Sequence, residues 1–268
     1  MSDSAHALSF HENTDARRLD EQVWLLDVQD RVPGIAHLRE WTRSALALRP
    51  GERVLDVGSG TGSEVLALAE QVGPTGEAVG VEPNPGMVAL ARDRAARTPA
   101  TRFVTGSAYR LPFPDACFDA IRCERVYQHL EDPRGATAEI VRVLRPGGRV
   151  VLVDTDWPTV IVHPGDPMVL RALHDFMLAG IPNPAAGRRL RGHLAAAGCV
   201  VDRVVAEAGV WDPDQFWPPY VELSRRAVAA GVISAAQRER FLADLDRGIA
   251  ADDFHVAVTL AAVLAHKS

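Results

Sequence analysis

Lysine is almost missing from this chain: Lys267 is the only one, so nearly all of the 29 basic residues are arginines. They form no basic run, and 35 acidic residues leave a formal net charge of -6. Affinity for a phosphate backbone comes from clustered lysine and arginine, so nucleic acid is not expected as a partner. Cysteine is scarce as well. Cys117, Cys123 and Cys199 are odd in number and widely spaced, which fits neither a disulfide framework nor a Cys-x-x-Cys metal or redox site. Reduced thiols and a cytoplasmic location are the expectation. Long apolar runs are lacking too. No stretch approaches the roughly 20 residues of a membrane span, and Met1 to Asp20 has no basic start followed by an apolar segment. Neither export nor a membrane-spanning helix is expected.

What is present is a substantial core-forming fraction, 47% hydrophobic over 268 residues, enough for one elaborated domain. Leu19, Val23 and Leu26, then Ile35, Leu38, Trp41, Ala45 and Leu48, recur at helical spacing with a break at Pro33-Gly34. Residues 1–48 are therefore expected to be cap helices. Arg53 to Val57 reads as a strand, followed by Gly58-Ser59-Gly60-Thr61-Gly62 and a helical stretch from Val65 to Val72. Strands are expected again at Ala78–Glu82, Thr101–Thr105, Phe118–Cys123 and Arg149–Asp154, with helices at Met87–Arg97 and Arg134–Leu144. Alternation of this kind implies crossover connections and a parallel sheet.

Residues 49–156 thus form the expected core, and the rhythm changes after it. Residues 157–198 are read as a lid or substrate insertion, and 199–268 as completion of the sheet with a helical lid insertion at 211–250. Within that last segment, Val200–Val210 and Phe254–Ala265 read as strands. The insertions would cover the carboxyl ends of the strands, where open α/β sheets bind ligands.

Glycines at 58, 60 and 62 directly after a strand allow a sharp turn and a close backbone approach to a ligand, with a helix N-terminus behind it. A dinucleotide fingerprint would need glycine or alanine where Ser63 stands. The stretch Leu55-Asp56-Val57-Gly58-Ser59-Gly60-Thr61-Gly62 instead resembles the first motif of class I S-adenosylmethionine-dependent methyltransferases. Gly106-Ser107-Ala108-Tyr109-Arg110-Leu111-Pro112-Phe113, Phe118-Asp119-Ala120 and Glu139 to Gly148 resemble the ubiquinone and menaquinone C-methyltransferase-like group. The resemblance covers roughly residues 50 to 156 and lies in the order of the motifs.

It implies a doubly wound α/β fold: a seven-stranded, mostly parallel sheet with a reversed last strand and a helical cap. It also implies S-adenosylmethionine as cofactor, held by Asp56, Gly58, Gly60, Thr61, Gly62, Glu82, Pro83, Met87, Ser107, Ala108, Glu124 and Arg125. Glu82 would accept both ribose hydroxyls and Met87 would pack on adenine. Ser107 stands where the family has an aspartate for the adenine amino group, so that hydrogen bond would lack charge assistance.

Methyl transfer from a sulfonium is mostly a matter of alignment, but a hydroxyl acceptor benefits from a general base. His129 and Asp154 stand at neighbouring strand ends and could form a base with its orienting acid; His129 reads equally well as a structural polar residue that opens a helix and caps it or bridges water. The expected acceptor is a small, largely apolar metabolite, methylated on oxygen in preference to nitrogen or carbon. Trp157, Trp211, Phe216, Trp217 and Tyr220 are candidates for its pocket. Asp154, Asp156 and Glu124 could be read as a magnesium site, but the spacing is not diagnostic and no metal is expected. Two rivals stand beside this reading. A nicotinamide-dependent oxidoreductase is disfavoured by Ser63 and by the absence of a Tyr-x-x-x-Lys pair, and a cofactor-binding cyclase or scaffold would carry the same binding motifs.

Overall fold

The computed structural model describes residues 19, 23, 24, 26–28 and 32–268, without the side chains of residues 216–218. Its centre is a seven-stranded sheet in the order β3-β2-β1-β4-β5-β7-β6. The strands are β1 (Arg53–Val57), β2 (Glu77–Glu82), β3 (Thr101–Thr105), β4 (Phe118–Glu124), β5 (Leu144–His163), β6 (Cys199–Val210) and β7 (His255–Lys267). Neighbours from β3 through β5 pair in parallel, while β7 runs antiparallel to both β5 and β6. The reversed last strand agrees with expectation.

Successive side chains of a strand face opposite sides of the sheet, and that alternation sorts the core into two layers. Leu55, Val57, Ile121, Cys123, Val150 and Leu152 face α4 (Pro133–Val143) and α6 (Ala186–Ala196). Val54, Ala120, Val151 and Val153 face α1 (Pro33–Leu46), α2 (Ser63–Val72) and α3 (Pro85–Arg94). Each helix contributes its apolar stripe, as Ile140 and Val143 do from α4 and Val65, Leu68 and Val72 from α2. Proline or a side-chain cap fixes several helix starts: Asn84 accepts from Gly86 and Met87 N–H, and Asp132 from Gly135 N–H. Lys267, the sole lysine, donates to the Val141 and Leu144 carbonyls at the carboxyl end of α4, at 2.7 and 2.8 Å.

Some boundaries differ from the sequence reading. Pro85 rather than Met87 begins α3, because proline suits a first helical turn and Asn84 caps it. β5 runs past Asp154 to His163, paired with β7 across an irregularity between Asp156 and Ile161. The stretch 157–198, expected as a lid, therefore divides: its first residues extend the sheet, and α6 belongs to the sheet's own helical layer, with Leu190 and Leu194 fully buried. The remainder, α5 (Pro167–Ala179), joins α7 (Pro213–Ala229) and α8 (Ala235–Ala250) around a third core of Val169, Leu173, Ala227, Phe241 and Leu245 beyond the end of β5. Trp211 and Tyr220 pack against that core, while the Phe216 and Trp217 side chains lie outside the described residues. Of the first expected cap helix, Leu19, Val23 and Leu26 are described and helical; Met1 to Arg18 lies outside the described residues. No helix among the described residues is long and apolar enough to cross a membrane.

Candidate functional site

A cleft of about 520 Å³ opens at the carboxyl ends of β1, β2 and β4, within the range of small-molecule sites. The loop after β1 forms its floor. Gly58 lies at φ 74°, and a Cβ there would stand 2.2 Å from Val126 Cγ2. A side chain is thus excluded twice, by backbone conformation and by space. Gly60 at φ 50° faces Leu26 of the N-terminal segment. Gly62, at φ 84°, instead approaches the Phe103 ring, where a Cβ would be 2.8 Å away. It serves the packing of α2 rather than the cleft wall.

Glu82 ends β2 and is 6% exposed. Its carboxylate accepts from Gly60 N–H at 3.1 Å and Asn84 N–H at 3.0 Å. Burial raises its pKa, and these two donors oppose the rise. On the same side, Ser107 and Ala108 line the cleft. Tyr109 Oη accepts from Glu131 N–H at 2.7 Å and Asp132 N–H at 3.3 Å, tying this loop to the start of α4. From beneath, Arg142 of α4 donates to the Phe113 and Leu111 carbonyls at 2.9 and 3.1 Å, and Glu139 accepts from Leu111 N–H at 2.9 Å. The Pro83 ring completes this end of the cleft.

The other end is charged. Asp56 and Arg122 face each other across the β1–β4 ladder, and both point to the α1–α2 side because they share the alternation of Val54 and Ala120. Arg122 is 2% exposed. It pairs with Asp56 at 3.1 Å, with Glu64 of α2 at 3.5 Å and closely with Glu124. Arg39 of α1 reaches Glu124 at 2.8 Å, and Arg43 reaches Glu64 at 2.8 Å. Burial dominates at Asp56, whose pKa is pushed up to about 6 despite Arg122. At Glu124 burial acts the same way, but Arg122 and Arg39 outweigh it and hold the carboxyl at about 2.

Asp154 shares the alternation of Leu152 and points to the opposite face. It is fully buried, accepting from Gln128 N–H at 3.1 Å and Thr155 N–H at 2.8 Å. Burial pushes its pKa up to about 7 against those donors. The 3₁₀ turn Tyr127–His129 that it grips carries His129 into the cleft lining. The Gln128 side chain donates to the Arg125 carbonyl at 3.1 Å and accepts from Trp157 Nε1 at 2.5 Å. Asn183 donates to the Tyr127 carbonyl at 3.2 Å and closely to that of Leu130. Arg125, at φ 59°, lies between this turn and the charged end. Such a conformation is costly for a non-glycine residue and is found at ligand sites.

The structure brings Asp56, Gly58, Gly60, Thr61, Glu82, Pro83, Ser107, Ala108, Glu124, Arg125 and His129 to one cleft. Gly62, Met87 and Asp154 lie outside its lining: Met87 is 1% exposed within α3, and Asp154 acts through backbone amides. Trp157, expected in the pocket, reaches it only through Gln128. The three carboxylates of the magnesium reading are otherwise engaged, Glu124 by two arginines and Asp156 by Arg188 at 2.5 Å. No metal-ligand cluster exists among the described residues. Sequence reasoning missed Arg39, Glu64, Arg122 and Gln128. The one available signal was Arg122 itself, a charge at a position whose alternation demands burial.

The family model of a methyltransferase domain matches residues 55–152. UbiE of Ectopseudomonas mendocina, a ubiquinone/menaquinone biosynthesis C-methyltransferase, is 31% identical over 194 residues, covering 70% of this chain and 70% of that protein. The chain belongs to the class I S-adenosylmethionine-dependent methyltransferases. A protein encoded in transposon TN4556 of Streptomyces fradiae is 38% identical over 225 residues, 82% of this chain. The chain spans less than two thirds of that relative, 64% of its length. Among solved structures, YcgJ of Bacillus subtilis superposes with a TM-score of 0.61 over 87% of this chain and 98% of its own, at 21% identity, a likeness of fold. S-adenosylmethionine is the cofactor of this family, and the cleft suits it. Glu82 offers a planar carboxylate to a vicinal diol, Gly58 and Gly60 bring bare backbone to the wall, and buried charges of both signs lie at the far end.

Proposed function

We propose that the protein transfers a methyl group from S-adenosylmethionine to a small, largely apolar metabolite that carries a hydroxyl group, with oxygen as the favoured acceptor. The observation that carries this reading is His129, which lines the same cleft as Glu82 and the glycine loop, on a turn held by Asp154 and Asn183. Bound S-adenosylmethionine supplies an electrophilic methyl group. His129 accepts the hydroxyl proton on a ring nitrogen, a contribution of about 10²–10⁴ in rate for general bases. Asp154 and Gln128 hold the backbone of the turn so that the imidazole keeps its place, which is where alignment enters. Arg125, Gln128 and Leu130 shape the wall beside it.

A second acceptor atom is favoured by the relatives. UbiE is named a C-methyltransferase, and a 42% identical Deinococcus radiodurans protein is a demethylmenaquinone methyltransferase. Removing a phenolic proton raises electron density at the neighbouring ring carbon, so the same base would serve transfer to carbon. Single-turnover transfer to simple phenols and hydroquinones, followed against pH for wild type and His129→Ala, tests the reading, with S-adenosylhomocysteine release as the measure of turnover. A rate that falls at least 100-fold in the variant, with loss of the acidic limb of the pH profile, supports the base. Equal rates and profiles in both proteins return His129 to a structural role. The position of the methyl group in the product decides between oxygen and carbon.

A further inference from the structure

The edge of a sheet is a row of unpaired N–H and C=O groups, which folded proteins blunt by shortness, proline, lysine or cover. This sheet has two edges, β3 and β6. β3 follows the rule: it has five residues, and Arg92 Nη2 donates to its Phe103 carbonyl at 2.8 Å. β6 does not. It has 12 residues, none of them proline or lysine. Val204 and Val210 are 47 and 44% exposed, and Ala206 and Ala208 between them are exposed as well. Alternation puts these four on one face, where Val204 stands beside Val263 of the core layer under α6. Arg203, Val205 and Glu207 take the other face, against α1. There Val205 packs on the core, His37 meets Glu207 at 3.2 Å, and the Arg203 guanidinium lies 6.0 Å from the centre of the Trp41 ring. α1 therefore runs antiparallel to β6 along this edge.

We propose that β6 pairs antiparallel with β6 of a second copy of this chain, about a two-fold axis at Val205, so that two seven-stranded sheets join into one. Charge selects the register. With Val205 opposite its own copy, Arg203 faces Glu207 of the second copy and Glu207 faces its Arg203, two ion pairs from one self-complementary strand. On the other face Val204 gains Ala206 of the second copy as a neighbour. Opposite residues of an antiparallel pair share a face, so the nearest alternative registers lie two residues away. There Glu207 or Arg203 would face Val205 instead, and both ion pairs are lost. The irregularity between Val201 and Arg203 ends the regular edge at the point where this ladder stops. A ladder from Arg203 to Glu207 is too small for a stable interface by itself. Because α1 follows the same edge, the two copies of α1 come side by side near His37 and Trp41 and add helix contact to it. Each copy has one unblunted edge, so the assembly closes at two.

Sedimentation equilibrium of the full chain tests this with a charge swap. Wild type should be a dimer. Arg203→Glu and Glu207→Arg each turn both ion pairs into like-charge contacts and should weaken the dimer at least about 10-fold. The double variant restores opposite charges in reversed order and should recover the wild-type dissociation constant to within about threefold. Exchange of the backbone amides of residues 203–207 should slow as the protein concentration rises in wild type, and not in either single variant. β5 and β7 separate this edge from the cleft strands β1, β2 and β4, so unchanged S-adenosylhomocysteine binding reports that each variant is folded. A wild-type monomer at every concentration overturns the proposal, and so does association beyond two copies. A dimer equally tight in the single variants places the interface on another face, and a double variant as weak as the single ones removes the Arg203–Glu207 register; either result overturns it as well.

Discussion

Glu124 ends β4 and Asp154 lies within the neighbouring β5, and both carboxyl groups are buried, yet burial wins at one and loses at the other. At Asp154 burial outweighs the backbone N–H donors and the Arg125 charge and pushes the pKa up to about 7, whereas the guanidiniums beside Glu124 hold it at about 2. The two act oppositely on stability. Between about pH 4 and 7 the folded protein keeps a proton on Asp154 that the unfolded chain has released, so stability falls as pH rises through that window. Asp56, near 6, adds to the same fall. Glu124 contributes stability above its ordinary value of 4.5 that is lost as pH drops toward 2. Denaturant unfolding of Asp154→Asn should therefore show a shallower decline from pH 4 to 7 than wild type. It should also be destabilised by about 1–3 kcal/mol, because an amide NH₂ would face a backbone donor. An unchanged slope would mean that Asp154 is ionised throughout. At Glu82 the expectation concerns affinity. Glu82→Ala should weaken S-adenosylhomocysteine binding by about 1.5–3 kcal/mol, measured by calorimetry, and an unchanged dissociation constant would show that the ribose lies elsewhere.

Elements differ in how openly the sequence declares them. β1, the glycine loop and α2 were legible because each depends on local rules: a short β-branched run, glycines at three positive-φ positions, then helical spacing. Glu82 was legible through the family resemblance, which offers it as a ribose ligand, and the structure sets it at the end of an apolar strand in the cleft lining. Arg122 was not, because two of its three carboxylate partners, Asp56 of β1 and Glu64 of α2, lie at sequence distances that no local pattern encodes, and Glu124 alone is near it in the chain. The extension of β5 was hidden by Pro158 and Pro164, and the place of α6 in the sheet's helical layer by its position after them; only pairing with β7 reveals the first. The loop from Gly106 to Asp115 sits between these cases. Its motif was readable, but its shape depends on α4, where Arg142 donates to two of its carbonyls and pairs with Asp115 and Glu139. Arg142→Met should leave the global transition nearly in place, lower hydrogen-exchange protection in residues 106–116, and weaken adenosine-containing ligands several-fold. Unaltered exchange in that loop would show that Tyr109 and its contacts to Glu131 and Asp132 hold it without help.

At the scale of the whole molecule the chain has two kinds of helical matter. α1 to α4 and α6 bury their stripes against the sheet, whose two core layers contain most of the large buried side chains. α5, α7 and α8 bury theirs chiefly against one another and against the far ends of β5 and β7. A smaller core shared by three helices is expected to open at lower free energy than the sheet layers. One path links this cover to the cleft: His174 of α5 contacts the Trp157 carbonyl at 3.0 Å, and the Trp157 indole donates to Gln128, which lines the cleft. Acceptor binding beside Gln128 and His129 should therefore order the cover through Trp157, as closure around a substrate does in other enzymes. Native-state hydrogen exchange measures this directly. In the free protein, residues 167–179 and 213–250 should exchange by local opening, and 186–196 only with global unfolding. S-adenosylhomocysteine alone should protect residues 54–64 and 80–84, and addition of an acceptor should extend protection to α5, α7 and α8. Protection of α5 that matches α6 in the free protein would make the cover a fixed part of the core, and exchange there that ignores a bound acceptor would break the proposed link through Trp157.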